Sequence, residues 1–273
     1  MNKLAILTPA VIDIECIKAS QASLINNIIL KNQNFKFEHY VHLDNHLRKS
    51  PRYKGTREEI HSFYESSIQN YDNLDLTLIL PSTRVGLIRA AYCLFEQFLA
   101  SQCEYCFIFE DDTTLSRSIP LDEVFEIIGD KDQDIVHFSF AVDANENLSG
   151  SVEKGFISGI PTVFKSFEYY ERTYKEKSGM TWNGTFFHRN MIQKLLNHYE
   201  KDVYHEKFYP EDQISKFLLE KIPDAKIKTL FFSSEIEDLR KYEWDGPSIP
   251  IPRNKHIIFD EIRWAGGRSR ALW

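Results

Sequence analysis

The sequence is short of several things, and each shortage removes a class of protein. It has four cysteines in 273 residues, Cys16, Cys93, Cys103 and Cys106. Cys103 and Cys106 form a C-x-x-C, but no second Cys or His pair stands at zinc-binding spacing. Free, buried thiols are expected instead, as suits a reducing compartment. No apolar run approaches the ~20 residues of a membrane-spanning helix. The opening "MNKLAILTPAVIDIE" holds one short apolar run followed by acids, too short for a signal-peptide core, so a cytoplasmic location is expected. Neither G-x-x-x-x-G-K nor G-x-G-x-x-G occurs, which excludes P-loop and dinucleotide-binding enzymes. Repeats and low-complexity linkers are absent. Positive charge is also in deficit: 33 Lys and Arg against 40 Asp and Glu give a net charge of -7. That argues against broad nucleic-acid binding and against a metal-dependent nuclease, both of which want a basic surface.

What remains is ordinary globular material. Hydrophobic residues make up 42% and charged residues 27%, enough in 273 residues for one large or two small domains with a real core. The 20 Phe and 13 Tyr serve that core first; an excess can also line a sugar or nucleotide site.

The patterns alternate between strand and helix. "KLAILTPA" reads as a buried strand over 4–7, stopped by Pro9. Ile14, Ile17, Leu24, Ile25 and Ile28 suit a helix over 13–30. "FKFEHYVHLDN" alternates and breaks at Asp44-Asn45, giving a second strand. Residues 46–60, polar and basic with Pro51 and Gly55, read as a loop. "LDLTLILP" is a third strand. "STRVGLIRAAYCLFEQFLAS" is a helix, apolar nearly all round, with Ser82 or Thr83 as N-cap. "EYCFIFEDD" is a fourth strand. After it come a short helix in "LDEVFEIIG", a strand in "DIVHFSF" and a strand-rich stretch in "TVFKSFEYYERTYK". "WNGTFFHRNMIQKLLNHYEK" reads as strand then helix, "YPEDQISKFLLEKI" as a helix entered through Pro210, and "IKTLFFSS" as a late strand. Strand–helix alternation over the first 120 residues predicts an α/β fold: a mainly parallel sheet with helices on both faces and a mixed C-terminal half.

The acids Glu110, Asp111 and Asp112 end the fourth strand. With 40 acids in the chain such a triplet is expected about once by chance, so its place has to give it meaning. Parallel α/β sheets bind ligands outside the carboxyl ends of their strands. Strand alternation puts Glu110 and Asp112 on one side. A hard divalent cation takes carboxylate oxygens and leaves positions for phosphate oxygens, as a nucleoside diphosphate requires. The competing reading is a solvated turn whose acids cap the next segment, helped by Thr113 and Thr114.

The run "RVGLIRAAYCLFEQFLASQCEYCFIFEDD" resembles the DxD segment of GT-A glycosyltransferases, as found in family 2 and in the lipooligosaccharide-type family 25. "NGTFFHRNMIQKLL" resembles the later segment where a Gly-led strand meets a helix. "YPEDQ" resembles the acidic motif that supplies the base in inverting members. With the "LAILTPA" opening, the likeness covers about residues 82–216; each piece is degenerate, and their order carries the weight.

The resemblance implies a role for each matching residue. Asp112 would ligate a divalent metal, Mn2+ or Mg2+, and Glu110 and Asp111 would contact the ribose or the ligand shell. Thr8 and Pro9 would border the nucleotide base. Asp44 would bind base or ribose, or else form a simple turn with Asn45. Arg84 and Arg89, read as starting the long helix, could grip phosphate or ribose oxygens; Arg89, among Ile88, Ala90 and Ala91, could equally pair with Glu96 or stand at an exposed helix end. Asp212, ahead of Glu211, would be the general base that takes the acceptor's proton, although acids in a first helical turn are also favoured by the helix dipole. Trp182 could stack on a sugar or belong to the core, Asn183 could meet sugar hydroxyls, and Gly184 leads the following strand. His256 could complete the metal site, while His188 and His205 read as structural. The tail past Glu261 holds Arg263, Arg268 and Arg270 and no acid, with Gly266-Gly267 to let it fold over a diphosphate.

The expected activity is metal-dependent transfer of a sugar from a nucleoside-diphosphate sugar to a glycan hydroxyl, with inversion. Residues 1–120 are expected to form the nucleotide-sugar half and 121–273 the acceptor half of one continuous GT-A domain. Two rivals stand beside it: a catalytically silent glycan- or nucleotide-binding module of the same fold, and a sugar-phosphate nucleotidyltransferase. The second usually opens with a Gly-rich loop after its first strand, and "TPAVIDIE" has no Gly.

Overall fold

A computed structural model describes residues 2–45, 55–68, 71–115, 117–129, 135–138, 162–173, 184–198, 210–232 and 259–261. The elements in chain order are β1 (Asn2–Ala10), α1 (Ile14–Leu24) running into a π-helical turn (Ile25–Ile29), β2 (Phe35–Leu43), α2 (Arg57–Ile68), β3 (Leu74–Ile79), α3 (Leu87–Ala100), β4 (Tyr105–Ile108), β5 (Thr113–Leu115) and α4 (Leu121–Ile128). They continue with β6 (Ile135–Phe138), β7 (Thr162–Phe164), β8 (Phe167–Thr173), β9 (Thr185–His188), α5 (Arg189–His198), α6 (Pro210–Lys221), β10 (Lys226–Phe232) and β11 (Phe259–Glu261).

Nine strands form one sheet in the order β3-β2-β1-β4-β9-β6-β10-β8-β7. β3, β2, β1 and β4 are mutually parallel. β9 runs antiparallel between β4 and β6, β10 is parallel to β6, and β8 and β7 close the far edge as an antiparallel hairpin. The expected α/β class, with a mainly parallel first half and a mixed second half, is the observed one.

Alternation along β1 sorts the helices. Leu4 and Ile6 face one side and pack with Leu24, Ile25 and Ile28 of the first helix and with Leu121 and Val124 of α4. Ala5 and Leu7 face the other side and pack with Ala91, Leu94 and Phe98 of α3, Ile192 of α5 and Leu218 of α6. Ile60 and Tyr64 of α2 cover Val41 and Leu43 of β2. A strand apolar on both faces is what a sheet covered on both sides requires.

Three local expectations are corrected. β1 does not stop at Pro9 but continues to Ala10. The Leu7 carbonyl accepts from Phe109 N–H on the β4 side, and β4 pairing ends at Leu7–Ile108. Pro9, two residues on, therefore turns its missing N–H to a side with no further strand partner. Within the stretch read as a loop, α2 starts at Arg57. A reciprocal capping pair makes that start: Glu59 Oε2 accepts Thr56 N–H at 2.7 Å, and Thr56 Oγ1 accepts Glu59 N–H at 3.1 Å. Finally, α3 begins at Leu87 behind Gly86 (φ 80°), so neither Ser82 nor Thr83 caps it.

At the other end of α3, Arg189 donates to the carbonyls of Phe98, Leu99, Ser101 and Cys103, and its guanidinium lies over the Phe98 ring. Lys228 similarly donates to Ile127 O at 2.8 Å and Ile128 O at 3.0 Å at the end of α4. Both cations satisfy carbonyls that a helix terminus leaves without partners. All four cysteines are free, three of them buried and Cys93 half-buried, and burial raises the pKa of each thiol.

Candidate active site at the carboxyl edge

The chain builds β1, β2 and β3 outward in one direction, then places β4 on the opposite side of β1. The strand order reverses between β1 and β4, and in open α/β sheets the ligand crevice lies outside the carboxyl ends of the strands at such a reversal. Glu110, Asp111 and Asp112 stand at that reversal. Their burial alternates: Asp111 is 3% exposed, whereas Glu110 and Asp112 are half-buried. Asp111 Oδ2 accepts Val11 N–H at 2.8 Å, fastening the end of β4 to the exit of β1. Asp13, fully buried, caps α1 through its side chain beside Cys16. Burial raises the Cys16 thiol pKa, and the carboxylates of Asp13, Asp111 and Asp112 each push it further up. All three therefore crowd one end of α1.

The end of β2 is built differently. Asp44 is 2% exposed, and its two carboxylate oxygens accept Val85 N–H at 2.8 Å and Gly86 N–H at 2.9 Å. Its backbone N–H also donates to Ala10 O at 2.9 Å. Asp44 thus ties β1, β2 and the entry to α3 together, where a turn with Asn45 or a ligand contact was expected. Asn45 Nδ2 instead donates to Ser82 O at 2.8 Å. Thr8 is buried on β1, its Oγ1 2.9 Å from His39 Nε2. Burial pushes the His39 imidazole down to about 3, so the ring is neutral. Pro9, also buried, pairs in register with His42.

Gly184, at φ 72°, donates its N–H to Ile108 O at 2.8 Å, which brings the lead-in to β9 against the last residue of β4. A side chain at that φ would be strained, so glycine suits the position. Arg84, in the loop before α3, and Arg89, in its first turn, are both exposed. Ile88, Ala90 and Ala91 face the core and Arg89 faces out. Glu211 and Asp212 lie in the first turn of α6. β10 runs parallel to β6 and follows α6 closely, so topology sets that first turn on the carboxyl side of the sheet. The side chains of Glu211 and Asp212, and all of Trp182, Asn183, His205 and His256, lie outside the described residues. His188 is structural as expected: it is buried at the far end of β4, opposite Tyr105, with its Nδ1 accepting Asn190 N–H.

Sequence reasoning missed β11, which pairs antiparallel with β5 directly after the acidic triplet. Glu261 stands opposite Thr113 and Phe259 opposite Leu115, so the late strand flanks the acidic segment. It also missed Asp13, whose signal was its N-cap position, and Arg57, which stands inside the Thr56–Glu59 capping pair. Arg57 Nε and Nη2, and His42 Nδ1, are buried without a hydrogen-bond partner among the described residues. Burial lowers the His42 pKa; Asp44 opposes that shift and Arg57 reinforces it, so the three groups share one neighbourhood.

Among the described residues no three His, Cys, Asp or Glu side chains group as a metal site. The chemistry of the donor set still suits a hard cation: Asp112 and Glu110 are oxygen donors with accessible surface, and phosphate oxygens and water can fill the remaining positions. No helix among the described residues is long and apolar enough to cross a membrane.

No protein-family model matches the chain, and no curated protein matches it by sequence. Solved structures do match. Residues 1–349 of Staphylococcus aureus TarS, a glycosyltransferase, in complex with UDP align with a TM-score of 0.52 at 15% identity, covering 83% of this chain and 57% of that one. The same TarS segment with UDP-GlcNAc gives a TM-score of 0.52 at 15% identity, covering 84% and 56%. The fold is GT-A. The chain spans a little over half the length of the TarS segment it matches.

Proposed function

We propose that this GT-A chain is a glycosyltransferase that moves a sugar from a nucleoside-diphosphate sugar to a glycan hydroxyl. The observation that carries the reading is the division of labour at the β1–β4 reversal: Asp111 is spent on Val11 N–H, while Asp112 and Glu110 keep exposed surface beside the crevice. The likeness to TarS, crystallised with UDP and with UDP-GlcNAc, supports a uridine nucleotide as the first donor to try.

In this reading Asp112, with His256 as a further ligand, would hold a divalent cation, which would supply positive charge to the leaving diphosphate. Glu110 meets the ribose. The base lies over Thr8 and Pro9; because the Thr8 hydroxyl is engaged by His39, the backbone at the end of β1 makes that contact. Arg84 and Arg89 offer exposed guanidinium groups to phosphate oxygens. Arg57, whose Nε and Nη2 have no hydrogen-bond partner among the described residues, could donate to a ligand at the β2 side. Asp212, or Glu211 beside it, takes the proton from the acceptor hydroxyl as the nucleotide leaves from the opposite face, which inverts the anomeric carbon. Trp182, Asn183 and Gly184 border the donor sugar, and residues 121–273 supply the acceptor side.

A panel of nucleotide-sugars, with and without Mn2+, tests this by slow donor hydrolysis and by transfer to oligosaccharides. Metal-dependent turnover of one donor is expected, with Asp212→Asn abolishing transfer while donor binding persists. Unchanged transfer by Asp212→Asn removes the base assignment. Saturable binding without any turnover leaves the silent binding module as the better description.

A further inference from the structure

The first helix carries a row of short polar side chains that face the acidic segment. Ser20 Oγ donates to Glu110 O at 3.0 Å. Ser23 Oγ accepts Leu115 N–H at 2.6 Å and lies 3.4 Å from Leu115 O. Asn27 Nδ2 donates to Leu115 O at 3.1 Å, and Asn27 O accepts Ile119 N–H at 3.0 Å. Asn32 Nδ2 donates to Ile119 O at 2.9 Å, and its Oδ1 accepts Leu121 N–H at 2.9 Å.

Positions 20, 23 and 27 share one face by the usual steps of three and four. The helix ends in a π-turn over Ile25–Ile29, where Leu30 N–H reaches back to Ile25 O. Asn32 lies past that end, in the connection to β2, and reaches the same segment from there. Such π-turns recur at functional sites. Most of these bonds go to the backbone of 110–121; the exceptions are Asn32 Nδ2 to Ile28 O and Ser118 Oγ, which donates to Asn27 Oδ1 at 3.4 Å.

We propose that Ser20, Ser23 and Asn27 are positioning residues of the donor site. β5 is only three residues long and pairs with β11 on one edge. Ser23 and Asn27 take the place of a strand partner at Leu115, and Ser20 holds the carbonyl of Glu110. Asp112 lies between these two anchors, with Asp111 fastened to Val11. The row thus sets the height and direction at which Asp112 meets the diphosphate. The inference rests on the glycosyltransferase reading above.

The test compares UDP binding by calorimetry, with and without Mn2+, in the wild type, Ser23→Ala and Ser23→Thr. Leu195→Ala on α5, on the opposite face of the sheet, serves as a control chosen for loss of core packing. Ser23→Ala is expected to weaken Mn2+-dependent UDP binding about tenfold, the usual scale for a group that orients a ligand-binding residue. Leu195→Ala should stay within about twofold even if it melts as early, because distant sites act independently. Ser23→Thr, which keeps the hydroxyl, should recover most of the affinity. Ser20→Ala and Asn27→Ala each remove one side-chain anchor and stand in for Ser23→Ala if it does not fold. Affinity that merely tracks melting temperature across all variants, or no recovery in Ser23→Thr, overturns the positioning role and leaves the transferase reading intact. A wild type that binds neither UDP nor any other nucleotide of the panel sinks both.

Discussion

The two edges of the sheet are held by opposite charges. At the amino edge the cations Arg189 and Lys228 donate into the last carbonyls of α3 and α4. At the carboxyl edge the carboxylates of Asp13 and Asp44 receive backbone N–H groups at the entries to α1 and α3. This follows from the α/β layout: helices returning to a parallel sheet end at its amino edge and begin at its carboxyl edge, so each edge selects the charge that complements the helix dipole. The edges differ in what remains. Arg189 has four carbonyl acceptors. The carboxyl edge keeps partly exposed acids in Glu110 and Asp112, and Arg57 Nε and Nη2 have no hydrogen-bond partner among the described residues.

Substitutions that sever one edge at a time sharpen the contrast. Arg189→Met should have the largest effect on stability, about 3–5 kcal/mol, since several charge-assisted bonds go together and the α3 carbonyls lose their donor. Chemical denaturation should show that loss while UDP affinity in the folded protein stays near wild type. Asp44→Ala should cost about 2–4 kcal/mol, from two buried bonds to a carboxylate. Unlike Arg189→Met it should also weaken nucleotide binding, because the entry to α3 lies at the crevice. If both variants change only stability, the two edges are not functionally distinct. Asp111→Asn keeps an acceptor for Val11 N–H and should cost about 1 kcal/mol, read as a small shift in the denaturation midpoint.

The last test reads a pH slope. His39 is neutral in the folded protein with its pKa pushed down to about 3, against about 6.5 in the unfolded chain. Between those values the unfolded state binds one more proton, so stability falls as the pH drops from 6.5 toward 3, by up to about 1.4 kcal/mol per pH unit. Replacing His39 by Gln should remove one proton from that slope between pH 4 and 6; an unchanged slope would place the titration elsewhere.

The sheet and its class were legible because apolar strands announce themselves and alternate with helices. The acidic triplet was legible because it ends one of those strands. α2 was missed although "TREE" carried its capping pair, because Pro51, Gly55 and a polar composition spoke louder than four residues. The start of α3 was misplaced because its cap is not local: the carboxylate comes from Asp44, across the top of the sheet. The same limit hid the serine and asparagine row. Ser20, Ser23 and Asn27 look like ordinary helix-surface residues, and their partners are backbone atoms about 90 residues away. Asp44 and Asp112 are indistinguishable as letters after a strand; burial separates them, Asp44 being 2% exposed and Asp112 half-buried.

The central claim is that Asp112 serves a ligand while its neighbour Asp111 serves the fold. Calorimetric titration of UDP into the wild type and Asp112→Ala, each with and without Mn2+, tests it most directly. Mn2+-dependent binding by the wild type is predicted to weaken about 100-fold in Asp112→Ala, with the melting temperature unchanged. Equal UDP affinity in the two proteins, or a melting temperature that collapses with the substitution, would contradict it.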